Sequence, residues 1–123
     1  MDNEVKEALN VSKSQLISSK GLYDMGQYRD SITLSYYAMY SATMALLLKK
    51  GFAPKTHDGA LSKLAEEYVK TGLFSKETYK YIHTAKSLRH KSSYDFFTEF
   101  SEDQAFKLIQ QAEKFIEETE FLL

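Results

Sequence analysis

Eighteen consecutive residues, "SITLSYYAMYSATMALLL" at 31–48, carry no charge. That is about the shortest run able to span a bilayer as a helix, roughly 17–25 residues. Five of these residues are Ser or Thr and three are Tyr, and the longest strictly apolar run is Met44–Leu48. So many hydroxyls fit a central helix, buried nearly all round, better than a span through lipid. A helix without a polar face limits the fold: other helices must surround it, or a second subunit must cover what they leave exposed.

The flanking sequence supplies the surrounding helices. Punctuation is sparse, with one proline (Pro54) and five glycines, and β-type alternation is absent. Apolar and small residues at Val5, Ala8, Leu9, Ser12, Leu16 and Ser19 mark a first helix over about 2–20, closed by the turn "GLYDMG". The uncharged helix follows from about Gln27 to Lys50, with Gly51 suited to the left-handed position past its end. After "GFAPKTHDG", Leu61, Leu64, Ala65 and Tyr68 repeat at helical spacing over roughly 58–70, and Gly72 ends that helix. Ser75 is a natural N-cap for a fourth helix through Tyr79, Ile82, Ala85 and Leu88 toward Phe96. "SEDQ" at 101–104 has the capping-box pattern, Ser101 with Gln104, before a stripe of Ala105, Leu108, Ile109, Ala112, Ile116 and Thr119. Short loops between long helices make neighbours antiparallel. The expected fold is all-α: one domain over 1–123, an up-and-down bundle of four or five helices.

Composition narrows the chemistry. There is no cysteine, which excludes disulfides, thiolate zinc sites and cysteine nucleophiles. "MDNEVKEALN" has neither a basic n-region nor an apolar h-region, and a cytoplasmic location is expected. Net charge is −1, so the molecule as a whole is no general magnet for nucleic acid. The charge is uneven, however. Residues 1–98 hold 14 Lys and Arg against 10 Asp and Glu, and residues 99–123 hold 2 against 7. His57, His83 and His90 lack metal-ligand spacing, no Gly-rich phosphate loop occurs, and neither metal nor cofactor is expected.

The residues most suited to chemistry lie in "SLRHKSSYDFF", 87–97. Arg89 and Ser93 share a helix face at i and i+4. Tyr94 is one step further round, with a ring long enough to swing back, and His90 points about 100° away from Arg89. A guanidinium offers a planar fork to phosphate, and Lys86 and Lys91 add diffuse positive charge. The same spacing also fits a solvated helix face with Tyr94 packed as core. Tyr36, Tyr37 and Tyr40 cluster on the uncharged helix, and His57 stands at a helix start. Either group could pack or bind.

In order along the chain, "YRDSITLSYYAMYSATMALLLKKGFAPKTHDGALSKLAEEYVKTGLFSKE", the stretch from Arg89 to Tyr94, and the helix from Phe100 to Phe115 resemble the HEPN domain. The likeness is to its small stand-alone prokaryotic form and covers nearly the whole chain. The resemblance implies a helical bundle that forms a homodimer, often encoded beside a minimal nucleotidyltransferase as a toxin–antitoxin pair. Catalytic members of the family are metal-independent ribonucleases with an Arg-x4–6-His signature, the Arg holding the scissile phosphate and the His moving protons.

This sequence departs from that signature. Positions 94–96 are Tyr94, Asp95 and Phe96, with no His. Ser93 stands where an Asp is usual, and Ser41 follows "YYAMY" where a His is common. A phenol with an ordinary pKa near 10 is a poor base at neutral pH. Two readings follow. In the first, a dimeric module binds nucleotide or RNA through Arg89 and Tyr94, with Ser93, Lys86, Tyr36, Tyr37 and His57 around them. In the second, the chain is a metal-independent ribonuclease toxin using Arg89 and Tyr94, with His90 the only nearby imidazole on that helix.

Overall fold

The computed structural model describes residues 2–123. Five α-helices run in the order α1 (Asn3–Asp24), α2 (Tyr28–Lys49), α3 (His57–Leu64), α4 (Lys76–Tyr94) and α5 (Glu102–Leu122), and no strand occurs among the described residues. No helix is long and apolar enough to cross a membrane.

The uncharged helix is the hub. α2 packs against α1, α5, α4 and α3, which buries Ile32, Tyr36, Ala38, Met39, Ala42, Ala45, Leu46 and Leu47 completely. Burying each of its larger aliphatic side chains contributes about 1.5–3 kcal/mol. Most of the apolar surface of this helix is therefore covered within the chain. What stays half-exposed runs along one side of the helix: Thr33, Leu34, Tyr37, Tyr40, Ser41, Met44 and Leu48. Beside it, Ala8 and Val11 of α1 complete an open groove of about 540 Å³.

Small residues let α1 approach α2 closely, and buried hydroxyls line their seam. Ser12 Oγ donates to the Ala38 carbonyl at 2.5 Å. Ser19 Oγ lies 3.0 Å from Ser31 Oγ and 2.7 Å from Ser35 Oγ, while Ser31 Oγ donates to the Ser19 carbonyl at 2.9 Å. All four serines are buried, and the network supplies the partners that such burial demands.

Caps set most helix limits. Ser75 accepts from Thr78 N–H, and Ser101 with Gln104 forms the full capping box. Gly51 and Gly72 take positive φ at the two helix ends where the sequence places them. Two boundaries differ from expectation. α1 runs through Gly21 to Asp24, and the turn tightens onto Gly26 at φ 77°. Tyr23 supports that last turn, packing on Tyr28 and Phe106 at 5.6 and 5.9 Å. α4 stops at Tyr94, short of Phe96, because two side chains bind its end. Asp95 Oδ1 accepts from Phe97 and Thr98 N–H. Arg29, from the first turn of α2, donates to the carbonyls of Ser92, Asp95 and Thr98. After α3 the chain widens into a π turn over Ala65–Val69, closed by Lys70 N–H to the Ala65 carbonyl at 2.8 Å.

Candidate functional site

Three elements meet at Arg89: the middle of α2, the start of α3 and the later turns of α4. Position 89 lies one turn after the buried Ala85, so the side chain leans inward over α2. Arg89 Nη2 donates to the Tyr37 hydroxyl at 2.8 Å. Its Cζ lies 5.4 Å from the Tyr37 ring centre and 6.0 Å from that of Tyr36, within cation–π range. Nε is buried without a hydrogen-bond partner. Among the described residues, every ion pair involves Lys, so no carboxylate neutralises this guanidinium.

His57 enters from the other side. Thr56 caps α3, accepting from Gly59 N–H at 2.9 Å, and this fixes His57 as the first helical residue. Three tyrosines of α2 then hold the imidazole. Tyr40 stacks on it with centroids 4.1 Å apart, Tyr37 meets it edge-on at 6.3 Å, and the Tyr36 hydroxyl lies 2.8 Å from Nδ1. Burial lowers the His57 pKa, the Arg89 and Lys86 charges lower it further, and Asp58 opposes them. Burial raises the Tyr36 pKa to about 12, although the Arg89 charge pulls the other way. Both side chains are therefore neutral at physiological pH, beside an uncompensated cation.

The candidates named from the sequence divide here. Arg89, Tyr36, Tyr37 and His57 form one cluster. Tyr36 is fully buried, so it reaches a ligand only through His57. Lys86 is paired with Asp58, next to His57 in sequence, and so brings its charge to the same place. That pairing holds the Asp58 carboxyl below the usual carboxylate range. Tyr94 lies apart. It is 66% exposed, and its ring sits on His90 with centroids 4.8 Å apart. It neither packs as core nor swings back to Arg89, whose hydrogen bond goes to α2. Ser93 is half-buried one turn beyond Arg89, and Ser92, not Ser93, ties this turn to α2 through Thr33 Oγ1 at 2.8 Å. Sequence reasoning missed Asp58 and Arg29, since both act across gaps that no local spacing encodes.

A HEPN domain family model matches residues 5–122. A Methanocaldococcus jannaschii protein bearing the name "Putative toxin" is 30% identical over 94% of this chain and 79% of its own length. A second M. jannaschii protein of that name is 28% identical, covering 93% of this chain and 84% of its own. A "UPF0332 protein" of Archaeoglobus fulgidus is 30% identical over 94% of this chain and 91% of its own. The all-helical bundle agrees with the all-α fold of a HEPN domain. The chain belongs to the HEPN family.

Proposed function

We propose that this HEPN domain binds the phosphate of a nucleotide or an RNA through Arg89, works as a homodimer, and acts in the cytoplasm with a minimal nucleotidyltransferase-type partner. The observation that carries the binding site is the state of Arg89: half-buried, aimed by Tyr37, and without a carboxylate. A desolvated cation is stable only with a counter-charge or strong polar contacts, and a guanidinium fork matches the oxygens of a phosphate. Homodimerisation is supported by the half-exposed stripe of α2 and the groove it shares with α1, which a second copy would cover. A second reading, a metal-independent ribonuclease toxin, is favoured by the two relatives that carry a toxin name.

The test is binding of a mixed RNA pool and of AMP to wild type and Arg89→Ala, with light scattering on both. Arg89→Ala should stay folded and lose about ten- to a hundredfold in affinity, equivalent to about 1.5–3 kcal/mol for a charged hydrogen bond. Arg89→Lys should recover little, because an ammonium has no planar fork. Wild-type affinity in a folded Arg89→Ala would move the site elsewhere, and a monomer at tens of micromolar would remove the dimer. RNA cleavage that persists in EDTA and leaves 2′,3′-cyclic phosphate ends would decide for the ribonuclease reading.

A further inference from the structure

The Tyr36 hydroxyl is buried, and its hydrogen bond is to His57 Nδ1 at 2.8 Å. A buried hydroxyl hydrogen without an acceptor costs about 1–3 kcal/mol, so Tyr36 donates and Nδ1 accepts. A neutral imidazole that accepts at Nδ1 carries its hydrogen on Nε2. Adding a second proton would place Nδ1–H against the Tyr36 hydrogen, close to the charges of Arg89 and Lys86. Among the described residues Nε2 has no hydrogen-bond partner, and it does not belong to the buried, unpartnered atoms. Tyr40 and Tyr37 fix the plane of the ring, so the direction of Nε2–H is set before any ligand arrives.

We propose that His57 is locked as its Nε2–H tautomer and forms, with Arg89, a two-pronged cradle for a phosphate ester. Arg89 supplies the charge and His57 a neutral donor. The inference rests on the binding reading above and deepens it. General-base catalysis at Nε2 needs a lone pair there, and in this tautomer a hydrogen occupies it. The cradle therefore holds a phosphate ester without taking a proton from the attacking hydroxyl. The groups facing the imidazole are Tyr36, Tyr37 and Tyr40 from α2, Arg89 and Lys86 from α4, and Asp58 on α3. Of the three carrying charge at neutral pH, two are cations, and the anion is bound to one of them.

Two measurements on the full chain test this separately. The first needs no ligand: long-range proton–nitrogen NMR of histidine-labelled protein reports the tautomer directly. His57 should show a protonated Nε2 and a bare Nδ1 from about pH 7 to 9, on the neutral side of histidine's ordinary pKa. Tyr36→Phe should mix the two tautomers. A protonated Nδ1 in wild type would overturn the proposal.

The second is anisotropy of a labelled oligouridylate, with inorganic phosphate as competitor. His57→Gln places an amide N–H near the Nε2 position and should stay within about threefold of wild type, while His57→Phe should lose about tenfold, the equivalent of one charged hydrogen bond. Wild-type affinity should change little from about pH 7 to 9, where a neutral imidazole keeps one state. Equal losses in the Gln and Phe variants, or full affinity in His57→Phe, would remove the donor role. If wild type binds neither probe, the phosphate reading fails with the cradle built on it, whatever tautomer NMR finds.

Discussion

Arg29→Met tests how the late part of α4 is held in place. The arginine reaches three carbonyls: Ser92 and Thr98, both in partly buried bonds, and Asp95 at 3.1 Å in an exposed one. Its guanidinium also lies 5.1 Å from the Phe100 ring centre. Charged hydrogen bonds contribute about 1.5–3 kcal/mol when sheltered, and exposed ones much less. Two sheltered bonds at the low end, with a small cation–π contribution that Met packing partly replaces, give a loss of about 3 kcal/mol. A chain of 123 residues has an unfolding entropy of about 0.26 kcal/mol per kelvin at about 2.1 cal/mol/K per residue. The melting midpoint should therefore fall by about 12 °C, read by circular dichroism at several scan rates to establish reversibility. Arg29→Lys should recover less than half, because an ammonium cannot span three carbonyls that diverge around a helix end. A fall below about 3 °C for Arg29→Met would mean that Asp95 and the capping box hold this end alone, and the clasp would be redundant.

Stability should also depend on pH in two separate windows. His57 and His83 have pKa values lowered by folding, mainly through burial, so the unfolded chain binds more protons and stability falls as pH drops through about 6.5, the ordinary histidine value. Asp58 and Asp95, both lowered mainly by hydrogen bonds, add a further loss only as pH falls through their own folded values, below the ordinary carboxylate pKa. A His57→Gln, His83→Gln double variant should flatten the upper window in pH-dependent urea titrations and leave the lower one. In the α1–α2 seam, Ser19→Leu should cost about 1–3 kcal/mol by overpacking, with Ser19→Ala costing less. A chemical-denaturation midpoint unchanged in Ser19→Leu would show the seam to be loose.

The fold was legible because most of the helices announce at least one of their ends. Ser75, the Ser101–Gln104 box, Gly51 and Gly72 are local signals, and local signals survive into the structure. The apolar stripes of α1 and α5 point inward as their spacing demands. The place of α2 was half legible: its lack of charge says that it is covered, but not whether by its own chain or another. At the site, Arg89 was named together with Tyr36, Tyr37 and His57, but the contacts that join them were not legible. The face of Arg89 on α4 suggested Ser93 and Tyr94 as neighbours, whereas packing turns it across to Tyr37, 52 positions away. His57 was named as a helix start, but its tie to Tyr36 depends on the path of the loop through Pro54, which no periodicity encodes. Arg29 sits in an ordinary first turn, and only the arrival of the α4 end makes it a clasp.

The serine seam also bears on how the chain finds its fold. Helices held by apolar contact alone could pair at several axial offsets with similar burial, since leucine stripes tolerate sliding. The hydroxyls of Ser12, Ser19, Ser31 and Ser35 do not. A slip of one turn, about 5.4 Å, would move each away from its partner and leave buried hydroxyls unpaired at about 1–3 kcal/mol apiece. The α1–α2 hairpin thus works like a vernier scale, with one alignment where all the marks coincide. Once it closes there, the tyrosines of α2 stand at fixed heights for α3 and α4 to meet.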